Sequence, residues 1–262
     1  MILLIDIGNT NIKMGLYEDG FKEVITFNRT IKDIPIMDLL QSHKIEGAML
    51  SSVVPSLTPL LKDLIKRELN VEPLVVSHKI NTGLRYKIKR PERLGPDRIA
   101  AAVGARMLYG GDIIVVSFGT ATTFSLINNK NEYLGGAIMP GLEISAAVLA
   151  QRTALLPMIK LRAFKGVKRV IGKDTEESIL TGVIIGHAGA VERLIRDIKK
   201  ESGLNPRVIA TGGMVDVILP YIKVAMHVNP LLTLEGLRFL YELNVNLPHP
   251  RGCLQPDPRK IR

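Results

Sequence analysis

A short apolar run, a polar bend holding one glycine and a second apolar run occur twice in this chain, and that recurrence constrains the fold more than any other feature. Ile2-Leu3-Leu4-Ile5 is followed by Asp6-Ile7-Gly8-Asn9-Thr10-Asn11 and then by Ile12 to Tyr17. At mid-chain, Ile113-Ile114-Val115-Val116 is followed by Ser117-Phe118-Gly119-Thr120-Ala121-Thr122-Thr123 and then by Phe124 to Ile127. Each unit reads as a β-hairpin with a buried first strand and a polar tip. An offset of 111 residues carries Gly8 onto Gly119, Asp6 onto Ser117 and Asn9 onto Thr120. The register implies an internal duplication, with two similar lobes that each open on a hairpin.

The segments between the hairpins alternate in type. Ala48 to Val53 and Pro73 to Val76 read as buried strands, and Ser56 to Leu69 as a helix with Leu57, Leu60, Leu61, Leu64 and Ile65 on one stripe. A second helix is expected from near Asp97 to Met107, stopped by Gly110-Gly111. Further helices are expected over 141–155 and 176–202, with a short strand at Val208-Ile209-Ala210 that feeds Thr211-Gly212-Gly213. Strands alternating with helices predict an α/β architecture, divided into lobes 1–111 and 112–245. The stretch 246–262, with four prolines, is expected to form a mobile tail.

Composition removes several classes of function. One cysteine, Cys253, excludes an intrachain disulfide framework and a cysteine-clustered zinc site, and the five histidines show no metal-ligand spacing. No uninterrupted apolar run reaches the length of a membrane span, and the first residues carry no basic leader, so a cytoplasmic protein without membrane association is expected. The 35 basic against 25 acidic residues leave a charge of +10, which favours anionic partners. Nucleic acid is disfavoured because aromatics are 5%, tryptophan is absent and the basic residues are spread along the chain. Small phosphorylated ligands account for the charge equally well.

The two hairpin tips suit such ligands. Gly8 removes a β-carbon where a phosphate must approach the backbone, Asn9, Thr10 and Asn11 add donors, and Lys13 adds positive charge. Asp6 is a candidate Mg²⁺ ligand, directly or through water. Ser117 to Thr123 repeats the logic with hydroxyls, and Thr211-Gly212-Gly213 offers a further close-approach point suited to an adenosine. Read singly, each is equally a turn whose Asn, Gly and Thr serve local geometry.

Read together, they fall into an ordered series. Asp6 to Asn11, Gly95-Pro96-Asp97-Arg98, Phe118 to Thr123, Gly135 to Leu142, Arg152 to Pro157, Ile171 to Thr175 and Ala210 to Gly213 resemble, in order and to about residue 240, type III pantothenate kinase. The resemblance implies the acetate and sugar kinase, Hsp70 and actin superfold, two ribonuclease-H-like lobes with a nucleotide cleft between them, and a homodimer. It implies ATP-dependent phosphorylation of the primary hydroxyl of pantothenate, the first step towards coenzyme A. Carried over by motif, Asp6, Ile7, Gly8, Asn9, Thr10, Asn11, Ile12, Lys13 and Thr120 would bind ATP with Mg²⁺. Gly95, Pro96, Asp97, Arg98 and Thr175 would bind pantothenate, with Asp97 as the catalytic carboxylate.

The chemistry fits Asp97, because phosphoryl transfer relies on positioning and charge neutralisation with a carboxylate that takes the hydroxyl proton. The other role open to Asp97 is a helix N-cap, and Thr175 and Ser178 are candidate caps of the helix that follows them. Arg98 offers a fork-shaped donor to an anionic group. Two positions depart from the family pattern. Where the family has an aspartate associated with a K⁺ site, this chain has Ser117, which removes a negative charge and puts dependence on K⁺ or NH₄⁺ in question. A substrate-contacting tyrosine of the family would fall at Ile88, two residues past Tyr86, so Tyr86 is not assigned. Competing readings are a catalytically degenerate binding or regulatory protein and a phosphohydrolase of the same superfold.

Overall fold

The computed structural model describes residues 1–28, 43–163, 166–167 and 169–245. The expected tail over 246–262 lies outside the described residues. Contacts divide the chain into two units, and both are discontinuous in sequence.

The first unit opens with β1 (Ile2–Ile7), β2 (Asn11–Tyr17) and β3 (Phe21–Asn28), continues through β4 (Gly47–Ser52), α1 (Leu57–Leu69), β5 (Leu74–Val75) and β6 (Arg85–Tyr86), and reaches α2 (Pro96–Tyr109). Its main sheet has the order β3-β2-β1-β4-β5. The first three strands form an antiparallel meander, and β4 and β5 join β1 in parallel. Central β1 buries Leu3, Leu4 and Ile5 completely, as expected of a strand covered on both faces. Leu61 and Ile65 of α1 close the core beneath it.

The second unit repeats this plan. It contains β7 (Ile113–Phe118), β8 (Ala121–Ile127), the second half of β9 (Glu132–Gly135), β10 (Ile138–Pro140), α3 (Leu142–Arg152), α4 (Thr175–Ser202), β11 (Arg207–Thr211), α5 (Val215–Ile218) and β12 (His227–Val228). Read from β9, its strands run β9-β8-β7-β11-β12. β7 pairs antiparallel with β8 and parallel with β11, as β1 does with β2 and β4. The duplication read from the two bends is therefore carried through five strands of each unit. The copies differ at the tip, because Ile7 pairs with Ile12 whereas Phe118 pairs with Thr122, so the second hairpin is one residue tighter.

One window of α4 is long and apolar enough to cross a membrane, with a mean hydropathy of 1.3. Charged residues punctuate the helix, so it contains no uninterrupted apolar run of that length. In the structure its apolar stripe, including Leu180, Ile184, Val191 and Ile195, lies in the core of the second unit. Amphipathic packing accounts for its hydropathy.

The chain then returns to the first unit in α6 (Leu232–Val245), which packs on α2 and against β1. Lys130–Tyr133 also belongs to that unit. The boundary drawn from the sequence, which kept 112–245 together, does not match these contacts. The reason is a close helix crossing: a β-carbon on Gly236 would stand 1.8 Å from the Ala100 carbonyl oxygen, and one on Gly104 would stand 2.5 Å from that of Leu232. The two glycines let the backbones of α2 and α6 meet, and periodicity along one segment carries no trace of that partner.

Candidate active site

Asp6 stands one residue before the end of β1, between two polar neighbours set by strand register, Lys13 across the β1–β2 pair and Ser51 across the β1–β4 pair. Oδ1 of Asp6 and Oγ of Ser51 are buried without a hydrogen-bond partner among the described residues. Burial, reinforced by the charge of Asp97, raises the Asp6 carboxyl to about 7, against smaller opposing effects of Ser51 and Lys13. Burial also lowers the Lys13 ammonium, and the Asp6 charge acts the other way.

Asp97 reaches this place on the first turn of α2. Gly95 is the N-cap and Pro96 the first helical residue, so Asp97 stands one position inside the helix. The capping role considered for it from the sequence thus belongs to Gly95. Seven consecutive buried residues, Ile99 to Ala105, anchor the helix in the core and fix where its first turn points. Burial raises the Asp97 carboxyl above the ordinary range, opposed by the Arg98 and Asp97 backbone N–H groups and by the Arg98 charge. Those N–H groups lie in the first turn of the helix, whose N-terminus also favours negative charge electrostatically. A β-carbon on Gly95 would lie 2.5 Å from Asp97 Oδ1, so the Gly-Pro-Asp order leaves room for the carboxylate to fold back over the cap.

Arg98 donates from Nη2 to the Tyr133 hydroxyl at 2.7 Å. The hairpin tip beside Asp6 is closed by a Gly8 N–H bond to the Asn11 carbonyl at 2.9 Å, and a β-carbon on Gly8 would stand 2.9 Å from the same oxygen. Asn9, Thr10 and Asn11 are exposed at the tip, whereas Ile7 and Ile12 are core residues. Of the eight residues 6–13, Ile7 and Ile12 therefore keep their side chains in the core.

The second unit holds the remaining candidates. Gly119 N–H bonds the Ala121 carbonyl at 3.2 Å, and Gly141 N–H bonds the Thr120 carbonyl at 3.0 Å, so the turn that starts α3 braces the Thr120 tip. A β-carbon on Gly141 would fall 2.3 Å from the Gly119 oxygen, which accounts for the glycine in the Gly135 to Leu142 motif. Ser117 pairs across its strands with Thr123 and Thr211. Among the described residues no group of three or more His, Cys, Asp or Glu side chains gathers as a metal site. Ser117 thus lies in a row of neutral hydroxyl residues and brings no carboxylate to this place.

Gly212, read as a ligand approach point, has a structural duty: its φ is +101°, and a β-carbon there would stand 2.5 Å from the Phe118 oxygen. Thr175 is the first residue of α4, and the cap is Asp174, whose Oδ1 accepts from Glu177 N–H at 2.8 Å. Thr175 lines a cavity of about 520 Å³ with Ser145, Ser178, Ile179, Val183 and His187. His187 Nε2 is 2.9 Å from Thr122 Oγ1, and burial lowers its pKa.

Two residues beside Asp6 and Arg98 were passed over in the sequence. Ser51 carries a signal, a polar residue closing the apolar run Ala48-Met49-Leu50. Tyr133 is marked only by its place before Gly135-Gly136 in a chain poor in aromatics.

Comparison with known proteins follows the same lines. A family model described as type III pantothenate kinase matches residues 2–197. A conserved putative Baf family transcriptional activator from Campylobacter jejuni superposes with a TM-score of 0.58 at 22% identity, covering 94% of this chain and 100% of its own. A putative 2-dehydro-3-deoxygalactonokinase from Sinorhizobium meliloti gives a TM-score of 0.58 at 13% identity, with coverage of 94% and 100%. A ROK family glucokinase from Streptomyces griseus, solved with glucose and AMPPNP, gives 0.51 at 15%, again covering 94% and 100%. The fold is that of the acetate and sugar kinase, Hsp70 and actin superfold.

Proposed function

The chain belongs to the type III pantothenate kinase family, and on that premise we propose that it transfers the γ-phosphoryl group of ATP to the primary hydroxyl of pantothenate. The observation that carries the reading is the placement in the first unit of two half-buried carboxylates, Asp6 and Asp97, with the charge of Asp97 acting on Asp6 and with Lys13 and Arg98 beside them. Asp97 orients the hydroxyl and accepts its proton as the alcohol oxygen bonds to the γ-phosphorus. The bond to the β,γ-bridging oxygen breaks, and ADP leaves. Arg98 meets the anionic end of the acceptor with its planar donors.

The donor set fits Mg²⁺-ATP. Asp6 presents a buried oxygen that lacks a partner, and a hard divalent cation prefers oxygen ligands and retains waters. Asp6 would hold the ion directly or through water, and the ion would supply charge neutralisation at the transferring phosphate. Backbone N–H groups around Gly8, the side chains of Asn9 to Asn11, Lys13 and Thr120 are assigned to the triphosphate, and Gly95, Pro96 and Thr175 to pantothenate. No step is assigned to a monovalent cation, because Ser117 adds no charge. We also assign the protein to the cytoplasm as a homodimer. A second reading, a catalytically degenerate binding or regulatory protein, is supported by the exposed apolar side chains Ile138, Val148 and Leu155 of the second unit.

A coupled assay of ADP release tests the reaction. ADP should form only when Mg²⁺-ATP and pantothenate are both present, and Asp97→Asn should lower kcat about 10²- to 10⁴-fold with nucleotide binding retained and no loss of thermal stability. Binding of both ligands without turnover under K⁺ and NH₄⁺ would refute the kinase reading in favour of a binding protein. ADP release at full rate without pantothenate would identify a phosphohydrolase.

A further inference from the structure

Tyr133 is completely buried, and its hydroxyl accepts a hydrogen bond from Arg98 Nη2 at 2.7 Å. Packing alone would be served by phenylalanine, and a phenol in the interior costs free energy unless its hydroxyl is bonded. Several contacts hold the ring in place. Residues 130–133 belong to the first unit, and within them the start of β9 pairs in parallel with β6, matching Arg85 to Glu132 and Tyr86 to Tyr133. Arg85 N–H bonds the Asn131 carbonyl at 2.8 Å, and Lys87 N–H bonds that of Tyr133 at 2.9 Å. Glu132 pairs with Arg85 at 3.9 Å and with Lys87 at 3.6 Å. The Tyr86 ring lies 6.3 Å from that of Tyr133, and its own hydroxyl donates to Thr82 Oγ1 at 3.1 Å.

The fixed phenol acts on the residue next to Asp97. The Arg98 guanidinium carbon is 5.9 Å from the Tyr133 ring centroid, so one hydrogen bond and one face contact constrain the same planar group. A guanidinium carries five N–H donors in a rigid fork, and orienting one orients the rest. Arg98 is itself only half-buried and sits on the first turn of α2, where backbone donors also favour an anion.

We propose that Tyr133 is a positioning residue for the phosphoryl acceptor, its hydroxyl fixing the Arg98 guanidinium so that the remaining N–H groups meet the substrate carboxylate. The inference rests on the kinase reading and assigns Tyr133 a role in recognising the anionic end of the acceptor. Tyr133→Phe keeps the ring and removes the oxygen. Its KM for pantothenate should rise about tenfold, while kcat and the KM for ATP stay within about twofold. A neutral pantothenate analogue with the carboxylate reduced to an alcohol should show no such rise, and Tyr133→Phe should add nothing in an Arg98→Gln background.

An unchanged KM for pantothenate overturns the proposal. So does an equal rise for the neutral analogue, or costs that add in the double variant. If Tyr133→Phe does not fold, a fluorinated tyrosine at position 133 weakens the acceptor at nearly constant volume, and an unchanged KM there overturns the proposal as well. A wild-type protein that turns over no pantothenate removes the kinase reading and this inference together. A wild-type kinase indifferent to the loss of the hydroxyl removes this inference alone.

Discussion

Replacing Asp6 by asparagine should make the ligand-free protein more stable, and the gain should depend on pH. Burial and the Asp97 charge hold the Asp6 carboxyl at about 7 in the folded chain, against an ordinary 3.8. Between those two values the unfolded chain has lost the proton and the folded chain keeps it, so stability falls as pH rises through that window. At about 1.4 kcal/mol per pH unit, the full difference corresponds to roughly 4 kcal/mol above neutrality. Water entry and side-chain adjustment reduce it, and the asparagine amide brings donors of its own. Asp6→Asn is therefore expected to gain about 2 to 4 kcal/mol at pH 8 and close to nothing at pH 4. The assay is urea unfolding across that range without nucleotide and with a chelator present. A variant no more stable than wild type at pH 8, or a gain equal at both ends, would refute the claim that Asp6 is held in an unfavourable charged state. The same substitution should weaken Mg²⁺-ATP binding, because the charge that destabilises the empty site is the one a cation would meet.

The close approach of α2 and α6 predicts that Gly236→Ala lowers stability by about 3 kcal/mol or more, since its β-carbon meets backbone that cannot rotate away. A urea midpoint shifted by less than about 1 kcal/mol would mean that the helices separate easily. Ser117 predicts a wild-type rate that varies by less than about twofold when K⁺ replaces choline at constant ionic strength, with Ser117→Asp acquiring a clear K⁺ dependence in the same ADP assay. Strong K⁺ activation of the wild type would show that neutral oxygens suffice at this position.

Much of the site could be read from the chain because its chemistry is local. Gly8 and the polar residues after it lie in one bend, and Gly95-Pro96-Asp97-Arg98 is one helix start, so spacing along the chain expresses their geometry. The pairing of Asp6 with Ser51 could not be read, because it depends on the parallel register of β1 and β4, more than forty residues apart. Asp174 as the cap ahead of Thr175 was open to view but is resolved only by the Glu177 N–H direction. Tyr133 was out of reach, because β8 and β9 carry it into the first unit while their neighbours remain in the second.

By itself the sequence determined the duplicated hairpins, the alternation of strands and helices and the residues at the tips, because burial period and turn chemistry act over a few neighbouring positions. Only the tertiary structure decided that the last helix returns to the first unit, that the charge of Asp97 reaches Asp6, and that a phenol stands behind Arg98. Those outcomes depend on which distant surfaces fit together, through two glycines where helices cross and one strand register, and no local pattern encodes its partner.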